Sequence, residues 1–586
     1  MSARETVAAI AADVRAGKRS AVSIAEETLG RADTYDAIQP QVWIARFSRE
    51  DVLQRARNVD ARVKAGEDMP LAGVPFAIKD NIDVTGTATT AACPAFAYVP
   101  TRDATVVARL LAAGAIPIGK TNLDQFATGL VGSRSPYGVC GCVFNREYIS
   151  GGSSSGSAVA VAAGIVPFAL GTDTAGSGRV PAAFNGLIGL KPTRGRWSTR
   201  GVLPACRSLD CVSVFTTSVP DAELIDRLLA DFDADDPYSR VGPKSPTKIE
   251  RIGIPRADQI NWCGDAQSAA LFTRAKETAA QLDIPLVEVD IAPLVECARL
   301  LYQGPWVAER FGVIANLLST NPGAVHPVVR AVIQAGGNMS AVQAFEGFYA
   351  LKKYERIAQD IWKTVDALLL PTTPTIYRTT EVLAEPFGLN ANLGLFTNFV
   401  NLLDMAAINI PAGFRDNGTG FGVSFIGPPW SDGALMDLAS RFHNDAARQP
   451  ELDTAPAAPS VKLAVVGAHL SGMPLNWQLT SRGARLVRSC KTATAYRLFA
   501  MANSTPPKPA LVHANEGGAA IDVEVYELAL AEFGSFTAEV PAPLAIGTVT
   551  LEDGENVKGF VGEPRATIGA EDITHLGGWR AFIATL

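Results

Sequence analysis

The stretch SGGSSSGSAVAVAAGIVPFALGTDTAGSGRVPA, residues 150–182, decides the fold. Its opening Ser/Gly tract has the composition of a flexible linker. It runs without a break into Ala158–Leu170, a continuous small-apolar run that reads as a buried helix. Linkers inside a domain do not normally feed a core helix. Small residues in that place allow close backbone approach and leave hydroxyl and N–H groups pointing inward. Further on, Gly171, Gly176 and Gly178 predict a tight turn around Thr172, Asp173, Thr174 and Ser177. Consecutive N–H groups in such a turn form a nest for an anion or a developing oxyanion. Ser177 sits between two glycines, where its hydroxyl can reach a substrate without hindrance. A phosphate loop is the competing reading, but the GxxxxGK[ST] pattern is absent.

Upstream, GVPFAIKDNIDVTG (73–86) places Lys79 directly after an apolar run, Val74–Ile78, that reads as a strand. An ammonium at the edge of a core loses hydration, which favours the neutral amine and makes it available as a base. A lysine that merely snorkels from a strand end is the plainer alternative. Thr105–Ala113 reads as a helix ending at Gly114, and Ile116–Ile118 as a short strand. Helical patterns alternating with short apolar runs predict an α/β layered domain with a largely buried sheet.

Together the three segments 73–86, 150–158 and 171–182 resemble the amidase-signature family. That resemblance implies an α/β/α domain with a large mixed central sheet. It also implies Ser177 as nucleophile, Ser153 as a bridging serine on a cis peptide, and Lys79 as base. Spacings of 24 residues from Ser153 to Ser177 and 74 from Lys79 to Ser153 suit the family. The implied oxyanion donors are the N–H groups of Thr174, Ala175, Gly176 and Ser177. Ala175 departs from a common glycine, and Gly178 from a common isoleucine or valine. A serine hydroxyl is a poor nucleophile until a base takes its proton. No histidine lies near these segments, so a Ser-His-Asp unit is unsupported, and a neutral lysine acting through Ser153 supplies the proton path.

Substrate is read elsewhere. In RLLYQGPWVAERF (299–311), Tyr302 and Arg310 are eight apart, close to two helical turns, which predicts a shared helix face. A guanidinium with an aromatic hydroxyl suits a small carboxylate; a surface arginine paired with Glu309 is the plainer reading. The segment resembles the allophanate hydrolase branch of the family, as do GAHLSGMPLN (467–476) and VPAPLAIGTVTLEDG (540–554). The branch implies two stages: hydrolysis of the terminal amide of allophanate to N-carboxycarbamate and ammonia, then conversion of that intermediate to ammonia and carbon dioxide by the C-terminal domain. His469, between a strand and Gly472, is the candidate base for the second stage. Segments 366–375 and 397–411 read as apolar stretches with Pro-terminated strands, without a catalytic role.

RQPELDTAPAAPS (448–460) is polar, rich in Pro and Ala and without periodicity, and reads as a linker. The expected organisation is an amidase domain over 1–447, a linker over 448–460, and a smaller α+β domain over 461–586. A helix is expected over Asp432–Asn444, and strands or helices near Leu463–Val466, Tyr496–Met501, Ala510–His513 and Ile521–Leu528.

The chain has 586 residues, 47% hydrophobic and 19% charged, with a net charge of -7. That balance argues against a nucleic-acid binder. No apolar span is long enough for a membrane, and no secretory signal is expected at the start, so a cytoplasmic protein is expected. The eight cysteines read as reduced, and the five histidines form no ligand-spaced cluster, so neither metal nor cofactor is expected. A homodimer is the expected assembly. The rival readings are an amidase of the same family acting on another small amide, one component of an amidotransferase, and an inactive assembly module.

Overall fold

The computed structural model describes residues 5–243, 248–443, 449–502 and 504–586. The chain folds as two compact units. The first comprises Met1–Ser135, Val139–Ala315 and Val328–Ala455, and the second Pro136–Gly138, Asn316–Pro327 and Pro456–Leu586.

The first unit is built on an 11-stranded sheet. In chain order its strands are β1 Trp43–Arg46, β2 Pro75–Lys79, β3 Ile116–Thr121, β4 Phe168–Asp173, β5 Ile188–Lys191, β6 Cys211–Thr216, β7 Ile252–Pro255, β8 Leu286–Val289, β9 Ala367–Pro371, β10 Ala406–Phe414 and β11 Gly420–Gly427. They lie in the order β1-β3-β2-β4-β6-β5-β10-β11-β9-β7-β8. β2 runs parallel to both β3 and β4, while β4 and β6 are antiparallel, so the sheet is mixed as expected. Every residue of β2, β3, β4 and β6 is buried. This explains their near-continuous apolar runs, because a strand covered on both faces has no solvent side to alternate with.

The run Ala158–Leu170 is not one helix. The helix covers Ser155–Ala162, buried on all sides, and strand β4 starts at Phe168. Gly164 adopts φ +73°, which turns the chain out of the helix, and Pro167 cannot donate to a continuing one. The small residues at its start do allow close approach. A Cβ on Gly156 would lie 2.3 Å from the Val42 carbonyl oxygen. Gly171 likewise lies inside β4 and not in the turn, packed where a Cβ would meet the Phe215 ring at 2.7 Å.

The helix expected at 105–113 spans Thr105–Ala112, and the strand expected at 116–118 continues to Thr121. The helix from Asp432 ends at Phe442; Asn444, its expected end, lies outside the described residues, as does Arg448 at the start of the expected linker. Part of that stretch is pinned to the first unit. Arg146 Nε and Nη2 donate to the two oxygens of Asp453 at 3.0 and 3.1 Å, and Asp453 N–H donates to the Val143 carbonyl at 2.9 Å. Within 397–411 the first half is a helix, Asn398–Leu402, and only the second half is a strand.

The second unit carries a five-stranded sheet in the order Arg485–Lys491, Asp522–Ala529, Ser460–Val465, Asn556–Gly562, Leu544–Thr550. A three-stranded sheet pairs Tyr496–Ala500 with Pro509–His513 and Glu571–Asp572. Its core includes Leu463, Val465, Val525, Tyr526, Phe536 and Trp579. Among the described residues no helix is long and apolar enough to cross a membrane, and no group of three or more His, Cys, Asp or Glu is placed to hold a metal ion. None of the eight cysteines forms a disulfide.

Candidate active sites in the two units

Because β2 and β4 are parallel neighbours, their C-terminal ends bring Lys79 beside Thr172. Lys79 is fully buried, and Nζ donates to Ser153 Oγ at 2.8 Å and to Thr172 Oγ1 at 2.7 Å. Burial lowers this lysine from 10.5 to about 7, and the Arg310 charge adds to the lowering, while Asp124, Asp173 and Asp210 oppose it. Near neutrality the free amine is therefore a populated state.

Ser153 reaches Lys79 from the loop ahead of helix Ser155–Ala162, and its peptide with Gly152 is cis. Asp124 fastens this loop. Its N–H donates to the Ser153 carbonyl at 3.0 Å, and its carboxylate accepts from Gly132 and Arg134 N–H, each at 2.9 Å. A Cβ on Gly152 would lie 2.1 Å from Asp124 Oδ2, so only glycine fits there.

Ser177 is buried in the turn after β4, and its hydroxyl makes no hydrogen bond among the described residues, to Ser153 or to any other group. The turn is shaped by Asp173, whose carboxylate accepts from Gly176 N–H at 2.9 Å, Gly178 N–H at 3.1 Å and two nitrogens of Arg179 at 2.9 and 3.0 Å. Burial pushes Asp173 up, but the Arg179 charge and these donors hold it below the usual carboxylate range. Gly176 takes φ +123° and presses on Thr397, where a Cβ would meet Oγ1 at 2.4 Å. Of the four expected oxyanion donors, Gly176 N–H is thus committed to Asp173, while those of Thr174, Ala175 and Ser177 meet no acceptor among the described residues. The Thr174 hydroxyl donates to Asp210, a carboxyl that burial raises to about 6.

Tyr302 and Arg310 do not share a helix. Tyr302 lies on Leu300–Gln303 and Arg310 on Trp306–Thr320, with Gly304 and Pro305 breaking the chain between them. The fold still joins them: the Arg310 guanidinium lies 5.4 Å from the Tyr302 ring centroid. Nor is Arg310 a surface residue paired with Glu309. It is 2% exposed, and Glu309 instead accepts from Ser208 N–H and Oγ. Arg310 Nη1 donates to Thr128 Oγ1 at 3.0 Å, while Nε and Nη2 have no partner among the described residues. Buried polar groups are nearly always paired, so an unmatched guanidinium edge marks a place for an acceptor.

Several groups here escaped sequence reading. Asp173 and Arg179 stood inside the quoted segment, and their opposite charges six apart were a usable signal. Thr397 and Asn401 had none. Thr397 Oγ1 donates to the Ala175 carbonyl at 2.7 Å, and Asn401 Nδ2 to the Asp173 carbonyl at 2.7 Å, from more than 200 residues away.

His469 belongs to the second unit. Its ring stacks on Phe560 at 4.9 Å and meets Phe536 edge-on at 5.3 Å, and Nε2 is 2.8 Å from Gln478 Oε1. It lines a cavity of about 240 Å³ with Gln478, Lys508, Glu539 and the two phenylalanines. Burial holds it below the usual histidine range, with Gln478 opposing and the Lys508 charge adding.

A family model described as amidase matches residues 25–436, and one described as allophanate hydrolase C-terminal domain matches residues 461–584. The urea amidolyase of Saccharomyces cerevisiae is 44% identical over 575 residues, covering 93% of this chain and 31% of that protein. The chain thus spans 31% of the length of the urea amidolyases it matches, that of Lachancea kluyveri included. A glutamyl-tRNA(Gln) amidotransferase component of Symbiobacterium thermophilum is 36% identical over 463 residues, covering 72% of this chain and 93% of that one. Among solved structures, an allophanate hydrolase of Kluyveromyces lactis superposes with a TM-score of 0.71 at 42% identity, covering 97% of both chains.

Proposed function

The chain belongs to the amidase family, and from that premise we propose that it hydrolyses allophanate, with Ser177, Ser153 and Lys79 as the catalytic unit. Neutral Lys79 takes a proton from Ser153 as Ser153 takes one from Ser177. The freed Ser177 oxygen attacks the terminal amide carbonyl. The N–H groups of Thr174, Ala175 and Ser177 receive the oxyanion. When the C–N bond breaks, the proton returns through Ser153 to the departing nitrogen, and ammonia leaves. Water, activated along the same path, releases N-carboxycarbamate from Ser177. Ser177 and Ser153 are not hydrogen-bonded to each other, and catalytic pairs commonly reach hydrogen-bond distance only as they close around a ligand.

The observation that carries the substrate assignment is the unmatched edge of Arg310. A buried guanidinium with Nε and Nη2 free and an aromatic ring beneath it complements a planar carboxylate bidentately. Allophanate is a small amide that carries such a carboxylate. The names and cover of the urea amidolyase and allophanate hydrolase relatives support the same reading. In the second unit, His469 serves the conversion of N-carboxycarbamate to ammonia and carbon dioxide, a role supported by the family match over 461–584. The protein acts in the cytoplasm without a cofactor, as a homodimer. Val342, Phe345 and Tyr349, exposed at helical spacing on Ala341–Ile361, support a self-association face, and light scattering of the purified protein tests it.

The test of the substrate is ammonia release from allophanate, with Ser177→Ala as control. The expected result is rapid release by the native protein and none above background by the variant. Turnover of biuret in preference to allophanate overturns the substrate and leaves the amidase chemistry standing.

A further inference from the structure

The cavity of the second unit holds an unbalanced charge. One acidic and one basic side chain line it, Glu539 and Lys508. Glu539 is spoken for: Arg482 Nη2 lies 2.5 Å from its Oε1, and that guanidinium also covers the Phe536 ring at 5.8 Å. Lys508, half-buried, has no side-chain hydrogen bond or ion pair among the described residues. Its backbone is held, with N–H donating to Ser504 Oγ at 2.9 Å and the carbonyl accepting from Met501 N–H at 3.1 Å, just before strand Pro509–His513. Lys508 thus lines, from a fixed stem, a cavity whose walls include the Phe536 and Phe560 rings, Leu544 and several prolines. Such walls weaken competition from water and strengthen an ionic contact.

We propose that this cavity binds a small carboxylate or carbamate anion, with Lys508 as its anchor and His469 beside it. This deepens the role given above to the second unit and rests on it. Lys508 and His469 are close enough that the lysine charge disfavours imidazolium, in addition to burial. Glu539, neutralised by Arg482, is the other charged group facing the cavity. An anion seated on Lys508 offsets that repulsion, so its binding favours the imidazolium form of His469 against the burial that opposes it. A volume of about 240 Å³ accommodates a molecule of a few heavy atoms.

Malonate, a dicarboxylate with CH2 in place of NH, serves as the probe, titrated into the full chain with isotope-labelled histidine. The His469 ring signal, assigned with His469→Asn, reports on this cavity alone. The expected result is a saturable shift and a rise in the His469 titration midpoint. Lys508→Met weakens malonate at that signal about tenfold or more, and Lys508→Arg keeps most of the affinity. Equal malonate affinity in the native chain and Lys508→Met, or no saturable shift in the native chain, overturns the proposal. The lifetime of N-carboxycarbamate separates it from the parent reading. If His469→Ala lengthens that lifetime and Lys508→Met does not, the anchor fails while the unit keeps its hydrolytic role. If neither lengthens it while malonate binding still depends on Lys508, the hydrolytic role fails and the anion site stands.

Discussion

The two units place the nitrogens proposed to transfer protons in opposite surroundings. Lys79 is wholly buried and lies between two hydroxyls, whereas His469 is half-buried against aromatic rings and open to a cavity. The starting points explain the difference. A lysine begins at 10.5, so only complete desolvation brings it to about 7. A histidine begins near neutrality and needs no such treatment. Deep burial also requires that neighbouring polar groups be satisfied, which is why the first site is wrapped in the Asp173–Arg179, Asp124 and Asn401 networks. The His469 ring is held by a hydrogen bond to Gln478 Oε1 and by ring packing.

The largest effect that tests this contrast is loss of Lys79. Lys79→Ala is expected to lower ammonia release from allophanate on the order of 10⁴-fold, and Lys79→Arg to fail as a substitute because a guanidinium stays protonated. His469→Ala is expected to leave that first step unchanged and to lengthen only the lifetime of N-carboxycarbamate, followed by isotope-labelled NMR. Equal loss of the first step in both variants would break the division between the units.

Next comes Arg310→Ala. Removing the charge proposed to meet the substrate carboxylate should cost about 2–5 kcal/mol, several tens-fold or more in kcat/KM. Discrimination against neutral biuret should fall with it. Unchanged kinetics would detach the guanidinium from substrate binding.

A pH profile sharpens the comparison further. With Lys79 acting as the free amine, as proposed, kcat/KM for the first step should rise as pH increases through about 7 and level off above it. The His469 midpoint lies below 6.5, so in the absence of an anion its titration should fall on the acid side of that limb. A first-step profile that stays flat across neutral pH would contradict a neutral-lysine mechanism.

The smallest effect concerns where the units part. A chain ending at Glu451 loses the Arg146–Asp453 pair, whereas one ending at Ala455 keeps it. The longer truncated chain should be more stable by about 1 kcal/mol, seen as a higher melting temperature. Both should remain less stable than the full chain, because Pro136–Gly138 and Asn316–Pro327 fold with the second unit. Identical melting temperatures for the two would show that the pair contributes nothing.

Local sequence singled out the three segments of the first site, and the family resemblance that they carry implied Lys79, Ser153 and Ser177 within them. Two of these segments need a close backbone approach, Gly152 against Asp124 and Gly176 against Thr397. Local sequence also determined the α/β class, because strands buried on both faces read as apolar runs. It did not determine where the run 158–170 changes from helix to strand, since full burial erases the periodicity that separates the two. Tertiary structure alone decided that Tyr302 and Arg310 meet across a break in the helix, and that Arg310 keeps an unmatched edge. It alone brought Thr397 and Asn401 behind the Ser177 turn and Lys508 beside His469. The physical reason is common to all of these. A backbone turn is specified by the residues within it, whereas the charge balance of a buried site depends on groups that only the packed chain brings within a few ångströms of one another.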